Sequence, residues 1–199
     1  MPVMSVMPVT PTMPVMPSNS PAGAASPGVA RTTHVTAIGP LRLAATDHAL
    51  VYCGFQDPDT VDLRIARAGL TPTPESERTR TPRQTELLAD ARVQIDEYLA
   101  GTRRSFTLPV DLVLATPFSR QTVLALDAFV PYGSTATYAE LAGALSRPRA
   151  ARAVGTALGA NPLCVVLPCH RIVASTGALA GYAGGTEAKQ HLLDLERTA

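Results

Sequence analysis

The distribution of proline divides this chain before any other feature does. Seven of its 18 prolines, and all five of its methionines, lie in the first 30 residues, where no side chain carries a charge. Proline fixes its own φ and has no backbone N–H to donate, so the repeated Met-Pro-Val units cannot build a helix or the interior of a sheet. We therefore predict a disordered tail over residues 1–30, which is either a docking peptide or an inessential extension.

The rest of the chain has the composition of an ordinary globular protein. Hydrophobic residues make up 46% of the 199 residues and charged residues 17%, which suits one sizeable domain or two small ones. The three cysteines form no disulfide framework and indicate a reducing compartment. The chain has neither an apolar run of about 18 residues for a membrane helix nor a secretory signal, so we expect a cytoplasmic protein without membrane contact.

Charge gives little guidance about partners. The net charge of +1 carries no overall attraction for nucleic acid. Arg147, Arg149 and Arg152 nevertheless lie together with no acidic residue between them. Such a cluster can contact phosphates, or it can be the solvated face of a helix, and charge alone leaves both interpretations open.

Residues 31–115 predict a small α+β unit. A helix is expected to begin at the capping box of Thr81 and Gln84 and to end at Gly101. The proline- and threonine-rich stretch Asp57–Arg80 is expected to be a linker with room for one short helix. The predicted strands are Thr33–Ile38, Leu41–Ala45, Ala49–Phe55 and Pro109–Leu114.

Residues 116–199 predict a mostly helical unit. The last two of its three predicted helices are joined by a tight turn at Ser146–Pro148 and form a helix-turn-helix candidate. The second of them presents almost only Ala and Gly on one side, which allows another surface to approach its backbone or allows close packing inside the protein. The predicted helices are 119–130, 138–145 and 149–160.

The most reactive group is expected in the segment Pro168-Cys169-His170-Arg171. The apolar run Leu163–Leu167 predicts a buried strand that stops at Pro168 and places Cys169 at a rigid chain reversal. Positive charge and hydrogen-bond donors near a thiol favour the thiolate, which is the nucleophilic form. Most cysteines are simply buried, so this pattern alone does not establish a nucleophile.

A metal site at Cys164, Cys169 and His170 is the alternative. The spacing of these residues matches no standard zinc signature. Alternation along an extended strand would also turn Cys164 and Cys169 to opposite sides. We therefore predict neither a metal ion nor another cofactor.

The segment from Asn161 to Val173, NPLCVVLPCHRIV, closely resembles the signature of the O6-alkylguanine-DNA alkyltransferases, also called methylated-DNA–protein-cysteine methyltransferases. The resemblance covers nearly everything from about residue 32, and the order and spacing of its motifs in the C-terminal half are highly specific. The other matching positions are 37–41, 131–133, 137–138, 151–155, 177–179, 181–185, Lys189 and 192–196.

The resemblance implies both a fold and an activity. The fold is α+β, with a small N-terminal sheet-plus-helix domain of the RNase H-like type before a mostly helical domain with a helix-turn-helix. The activity is DNA repair by irreversible transfer of the alkyl group of O6-alkylguanine to Cys169, once per molecule, by a monomer. The partner is double-stranded DNA bound through its minor groove, with the damaged nucleotide flipped out because a protein thiol cannot reach a base inside a duplex.

The resemblance also implies how the nucleophile is activated. Cys169 would be the acceptor, His170 would take its proton through a water molecule, and Glu196 would orient and charge-stabilise His170. Asn161 would tie the active-site turn to the recognition helix through backbone hydrogen bonds. Without the resemblance, Glu196 would be a solvated residue near a helix end and Asn161 a helix-ending residue before proline.

Guanine leaves more readily when it is protonated, and the resemblance assigns this step to the hydroxyl of Tyr138, near guanine N3. Backbone groups around Cys169, Ile172 and Ala183 would contact the edge of the base. Tyr182 would line the pocket.

DNA binding is expected to depend on the Ala- and Gly-rich helix. Arg152 matches the arginine finger of the family, which fills the place of the flipped nucleotide. Ala151, Ala153 and Gly155 would let the helix enter the minor groove, where bulky side chains prevent close approach. Such docking differs from the usual major-groove mode of a helix-turn-helix.

The chain departs from the family pattern at two positions. Relatives often have tryptophan where this chain has Leu124, which affects local packing. The position of Gly159 often carries a larger or basic residue in relatives, so we expect weaker DNA binding here.

Two rival hypotheses remain. An alkyltransferase-like damage-binding protein would lack the acceptor cysteine that is present here as Cys169. A thiol hydrolase or redox sensor would not need Tyr138 or Arg152.

Overall fold

The first strand begins earlier than the sequence predicts. The computed structural model describes residues 28–198, so residues 1–27 of the predicted tail lie outside them. Strand β1 spans Gly28–Thr36, and the tail prediction was therefore wrong for residues 28–30. Val29 and Ala30 are fully buried, and β1 has a hydrogen-bonded neighbour on each side, which holds these residues in the sheet.

Four strands form a mixed sheet in the N-terminal part of the chain. After β1, the strands are β2 at Gly39–Ala45, β3 at Leu50–Gly54 and β4 at Thr71–Pro72. Their order is β3-β2-β1-β4, with β4 parallel to β1 and the other pairs antiparallel. The β1–β2 hairpin turns at Gly39, whose φ of 104° lies in the region that favours glycine.

Two helices pack on opposite faces of this sheet. Helix α1 spans Pro58–Arg67, inside the stretch expected to be a linker, and α2 spans Pro82–Leu99. The capping box of Thr81 and Gln84 is confirmed. α1 buries Val61 and Ile65 against one face, whereas the apolar stripe of α2 packs on the other.

The C-terminal part is mostly helical, as predicted, although the expected helix 119–130 is interrupted at Ala125. A two-stranded parallel sheet joins the segment before α5 to the segment after Cys169. The helices are α3 at Pro117–Leu124, α4 at Leu126–Phe129, α5 at Tyr138–Ala144, α6 at Ala151–Gly159 and α7 at Gly185–Thr198. The two short strands are β5 at Ala136–Thr137 and β6 at Ile172–Val173.

Two predicted strands are absent from the described part of the chain. Pro109–Leu114 makes only one bridge, between Val110 and Leu50. Leu163–Leu167 is a tight turn, because Leu167 N donates to Leu163 O at 2.8 Å and Val165 adopts a φ of 71°. Apolar runs of this length are buried whether they extend or fold back, so burial alone did not distinguish the two.

The N-terminal sheet is attached directly to the chain that precedes Cys169. In β3, Cys53 N donates to Pro162 O at 2.7 Å, and Cys53 O accepts from Cys164 N at 2.7 Å. From α1, Arg64 Nη2 donates to Ala160 O at the end of α6, at 2.8 Å. One hydrophobic core runs from the α2 face of the sheet to α5, α6 and α7. Within residues 28–198, no helix has the length and apolar character needed to span a bilayer.

Candidate active site

Cys169 lies at the base of an open cavity. It begins a short 3-10 turn, Cys169–Arg171, directly after Pro168, and only 7% of it is exposed. The cavity has a volume of about 260 Å³, which is in the range of a small planar ligand. Its other lining residues are Tyr138, Leu158, Gly159, Cys164, Gly181, Tyr182 and Ala183.

Asn161 connects the end of α6 to this turn. Its Nδ2 donates to Cys169 Sγ at 3.2 Å and to Leu167 O at 3.1 Å. Its Oδ1 accepts from Leu163 N at 3.0 Å. All three of these side-chain contacts therefore hold the turn that carries Cys169.

Cys164 faces Cys169, which corrects the expectation that the two cysteines point to opposite sides. That expectation assumed an extended strand, and the turn at residues 163–167 removes it. The Cys164 thiol donates to Asn161 O at 3.6 Å, and its hydrogen bonding with Cys169, together with Asn161 and the charge of Lys189, lowers the pKa of Cys169 against the effect of burial. The same hydrogen bond and burial raise the pKa of Cys164, so Cys169 is the more acidic thiol of the pair.

His170 and Glu196 form a buried pair next to the nucleophile. His170 Nε2 lies 2.7 Å from Glu196 Oε1, and both side chains are almost completely buried. Burial lowers the pKa of His170 despite the neighbouring carboxylate, which favours the neutral ring. Nδ1 has no hydrogen-bond partner among residues 28–198. With Nε2–H directed at Glu196, Nδ1 keeps the lone pair that a general base needs.

Glu196 is surrounded by hydrogen-bond donors. Its Oε2 accepts from Arg171 Nε at 2.9 Å and from Gly133 N at 2.9 Å, and its Oε1 also accepts from the hydroxyl of Tyr98. Burial alone would raise the pKa of Glu196, but the hydrogen bonds and charges of His170 and Arg171 lower it to about 2. The expectation of a solvated glutamate, drawn without the resemblance, is therefore wrong.

Gly133 can approach Glu196 because it has no side chain. Its φ is 76°, and a Cβ added there would lie 2.9 Å from the backbone oxygen of Glu196. The Pro131-Tyr132-Gly133 turn thus brings a backbone N–H to the buried carboxylate, which accounts physically for glycine at this position.

Two tyrosines line the cavity above Cys169. Tyr138 is the first residue of α5 and is half-buried, and burial followed by the nearby Cys169 raises its pKa, so the hydroxyl stays protonated. Tyr182 packs edge-on against Phe55 of the N-terminal part, at 5.7 Å between ring centroids, and against His170 at 6.4 Å. The Tyr182 hydroxyl is buried without a partner among the described residues.

Ile172, which was predicted to contact the base, does not line the cavity. It is fully buried in β6. Its N–H donates to Cys169 O, and its carbonyl accepts from Lys189 Nζ at 2.6 Å. Both backbone groups are therefore engaged within the protein, whereas Ala183 lies at the cavity as predicted.

The predicted DNA-binding residues lie on the outward side of α6. Arg152 and Ala153 are exposed, Ala151 and Gly155 are half-exposed, and the opposite side of the helix is buried. A Cβ added to Gly155 would lie 3.6 Å from the ring of Tyr138, so the helix and the cavity are adjacent.

Sequence reasoning gave no role to four residues of this site. Cys164 was considered only as a metal ligand, and Tyr98, Arg171 and Lys189 had no assigned function. A signal existed for Tyr98, since it follows Ile95 by three residues and continues the buried face of the helix. Among residues 28–198, no group of three or more His, Cys, Asp or Glu side chains is placed to hold a metal ion.

Comparison with known proteins gives matches over most of the chain. The family described as 6-O-methylguanine DNA methyltransferase matches through its ribonuclease-like domain over residues 29–112 and through its DNA binding domain over residues 117–198. The constitutive methylated-DNA–protein-cysteine methyltransferase of Bacillus subtilis is 36% identical, over 83% of this chain and 94% of its own length. The methylated-DNA–protein-cysteine methyltransferase of Mycolicibacterium paratuberculosis is 40% identical over 71% of this chain and 82% of its own.

A solved structure agrees with these matches. The crystal structure of Mycobacterium tuberculosis OGT in complex with DNA superposes with a TM-score of 0.66 at 32% identity, covering 86% of this chain and 93% of that chain. The predicted α+β fold, with a ribonuclease-like domain before a helical DNA-binding domain, is confirmed. This chain belongs to the 6-O-methylguanine DNA methyltransferase family.

Proposed function

We propose that Cys169 accepts the alkyl group from O6 of alkylated guanine in duplex DNA. The observation that carries this proposal is the position of Cys169 at the base of an open cavity, with a donor on its sulfur and the His170–Glu196 pair beside it. The thiolate attacks the alkyl carbon, the bond from that carbon to O6 breaks, and guanine leaves with a proton. Donors on the sulfur and a neighbouring base are the usual means of activating a thiol.

His170 is the base in this proposal. Its neutral ring, with Nε2–H held by Glu196, presents Nδ1 as the acceptor for the thiol proton through a water molecule. Glu196 remains ionised because its pKa is about 2, so it stabilises the positive charge that His170 gains.

Tyr138 is the proton donor to the leaving base. Its hydroxyl is held in the protonated form by burial, and its ring stands at the entrance of the cavity, next to Gly155 of α6. Tyr182 and Ala183 would hold the plane and edge of the base. The backbone of Ile172 acts indirectly, by fixing the turn of Cys169.

DNA binding is proposed for the exposed side of α6. Ala151, Ala153 and Gly155 leave its backbone accessible, which suits entry into the minor groove. Arg152 projects from the same side and would fill the place of the flipped nucleotide. The adjacency of Gly155 and Tyr138 supports this arrangement, because a base turned out beside α6 would meet the cavity.

The reaction is proposed to occur once per molecule. The product is a thioether on Cys169, and an alkyl carbon bound to a buried sulfur has no leaving group comparable with protonated guanine. The acceptor is therefore consumed, and repair is stoichiometric.

The deciding experiment is mass spectrometry of the intact protein after incubation with duplex DNA that carries one O6-methylguanine. We expect one added methyl group per molecule, located on Cys169 by peptide analysis and absent from Cys169→Ser. Cys53→Ser, which changes another buried thiol, should still be methylated. Binding of the damaged duplex without any methyl transfer would support a damage-binding protein and exclude the proposal.

A further inference from the structure

The N-terminal part of the chain places one hydroxyl inside the active site. Tyr98 lies near the end of α2 and is only 1% exposed. Its ring packs against Phe106 at 5.1 Å and edge-on against Tyr132 at 6.1 Å, measured between ring centroids. Its hydroxyl bonds to Glu196 Oε1 and lies 3.3 Å from His170 Nε2.

The direction of this hydrogen bond follows from the charge of the partners. Burial, followed by the nearby carboxylate of Glu196, raises the pKa of Tyr98, so the phenol keeps its proton. An ionised carboxylate can only accept, so Tyr98 must donate to Glu196. Oε1 therefore accepts hydrogen bonds from Tyr98, from His170 and, at 3.1 Å, from Arg171 Nε.

We propose that Tyr98 is a positioning residue for alkyl transfer, supplied by the ribonuclease-like domain, which acts on His170 through Glu196. The inference rests on the proposed role of His170 as the base. By holding Oε1, Tyr98 fixes the carboxylate that orients the ring and so keeps Nδ1 directed away from Glu196. By sharing the negative charge of Oε1, Tyr98 also reduces the attraction that would protonate His170.

Other charged and titratable groups also affect the pKa values of His170 and Glu196. Those facing His170 or Glu196 are Tyr132, Cys169, Arg171, Tyr182 and Lys189. Behind them, Asp127 lies 3.9 Å from Arg171, and Arg104 stacks on Tyr132 at 5.5 Å. None of these residues shares Oε1 with His170 except Arg171, whose Nε lies 3.1 Å from it.

Tyr98→Phe tests the inference because it removes the hydroxyl and keeps the ring. Loss of the hydroxyl leaves more negative charge beside His170, which raises the pKa of its ring. The base is active only when neutral, so the acid limb of the pH–rate profile should move to higher pH. The rate above this limb should fall roughly tenfold, the equivalent of one hydrogen bond to a charged group. Free alkylated guanine and damaged duplex should show the same loss.

The rate is measured by mass spectrometry of methylated Cys169 over about pH 5–8, where histidine titrates. Tyr52→Phe is the matched control, because Tyr52 is a buried tyrosine of the same domain whose hydroxyl bonds to Gln56 at 3.2 Å. Its profile should equal that of the unaltered protein. If the unaltered protein is not methylated, the proposed function fails. If it is methylated and Tyr98→Phe has the same profile, the role of Tyr98 is structural only and the inference is overturned.

A double-mutant cycle tests the route through Glu196. In the Glu196→Gln background, Tyr98→Phe should have little further effect, because the charge on which Tyr98 acts is gone. Independent, additive losses would contradict that route.

Should Tyr98→Phe not fold, 3-fluorotyrosine at position 98 is a stronger donor of nearly the same size. It should move the acid limb to lower pH, and an unmoved limb overturns the inference.

Discussion

The sulfur of Cys169 accepts a hydrogen bond from the amide of Asn161, 3.2 Å away, and has the thiol of Cys164 as a second hydrogen-bonding neighbour. A buried thiolate without such neighbours would be disfavoured by desolvation. The two neighbours and the charge of Lys189 offset that effect, and the pKa of Cys169 is lowered. Cys164 is thus part of the machinery that activates the nucleophile, although it forms no bond to the alkyl group.

Replacing Cys164 should make Cys169 less acidic. Cys164→Ala removes the largest contribution that lowers the pKa of Cys169, so the thiolate fraction at neutral pH should decrease. We expect the pH dependence of Cys169 alkylation by iodoacetamide to move to higher pH, because the thiolate loses a hydrogen-bonding neighbour.

Peptide mass spectrometry assigns the modified cysteine in this experiment. Cys53→Ala is the control, because Cys53 is fully buried and burial raises its pKa to about 12 without a hydrogen bond to Cys169. A Cys164→Ala profile that coincides with the control would remove Cys164 from the activation of the nucleophile.

At the scale of elements, α6 has an exposed side, for which DNA binding is proposed, and a buried side. Its buried side, Val154, Ala157 and Leu158, packs against the protein, and its outer side carries Arg152. Its end is held by Arg64 through Ala160 and by Asn161 at the nucleophile. If α6 binds DNA as proposed, a base flipped out beside it would meet the cavity.

Arg152→Ala should slow repair in duplex DNA far more than reaction with free alkylated guanine. A free base needs no flipping, whereas extrusion from a duplex costs a few kcal/mol that an inserted side chain offsets, so a difference of at least about tenfold is expected. Single-turnover rates on the two substrates measure it. Arg197→Ala, which alters an exposed arginine of α7, serves as the control and should change neither rate. Equal losses on both substrates for Arg152→Ala would contradict a role in flipping.

The sequence predicted elements well where local signals are strong. The capping box at Thr81 is present, and the predicted strand Leu41–Ala45 is present and begins two residues earlier, at Gly39. It failed at Leu163–Leu167, because an apolar run shows burial but not whether the chain extends or turns. Cys164 was missed for the same reason, because the turn is what brings it to Cys169. Tyr98 was missed because its role depends on a contact between segments distant in sequence, which periodicity does not encode.

At the scale of the whole molecule, Glu196 joins four separate parts of the chain. It is on α7 and bonds to Tyr98 of α2, to Gly133 of the turn before β5, and to His170 and Arg171 of the active-site turn. The ribonuclease-like domain therefore contributes to the same network as the nucleophile. Folding of the whole chain and geometry of the site depend on one ionised carboxylate.

This dependence predicts a specific loss of stability in acid. The pKa of Glu196 is about 2 in the folded protein and 4.5 for an ordinary glutamate. Because the folded value is the lower one, the carboxylate contributes stability above pH 4.5, and that contribution is lost as the pH falls towards 2. The difference of about 2.5 between these two pKa values corresponds to a contribution on the order of 3 kcal/mol to the free energy of unfolding.

Glu196→Gln should therefore unfold more easily at neutral pH, and its free energy of unfolding should decline less steeply than that of the unaltered protein between pH 4.5 and 2. Urea denaturation at a series of pH values measures the free energy of unfolding at neutral pH and its decline in acid. Asp194→Asn changes a half-exposed carboxylate on the same helix, paired only with exposed Arg197 and with Gln190, and should keep the full acid decline. Parallel curves for Glu196→Gln and the unaltered protein would mean that the carboxylate is not the ionised centre of the network.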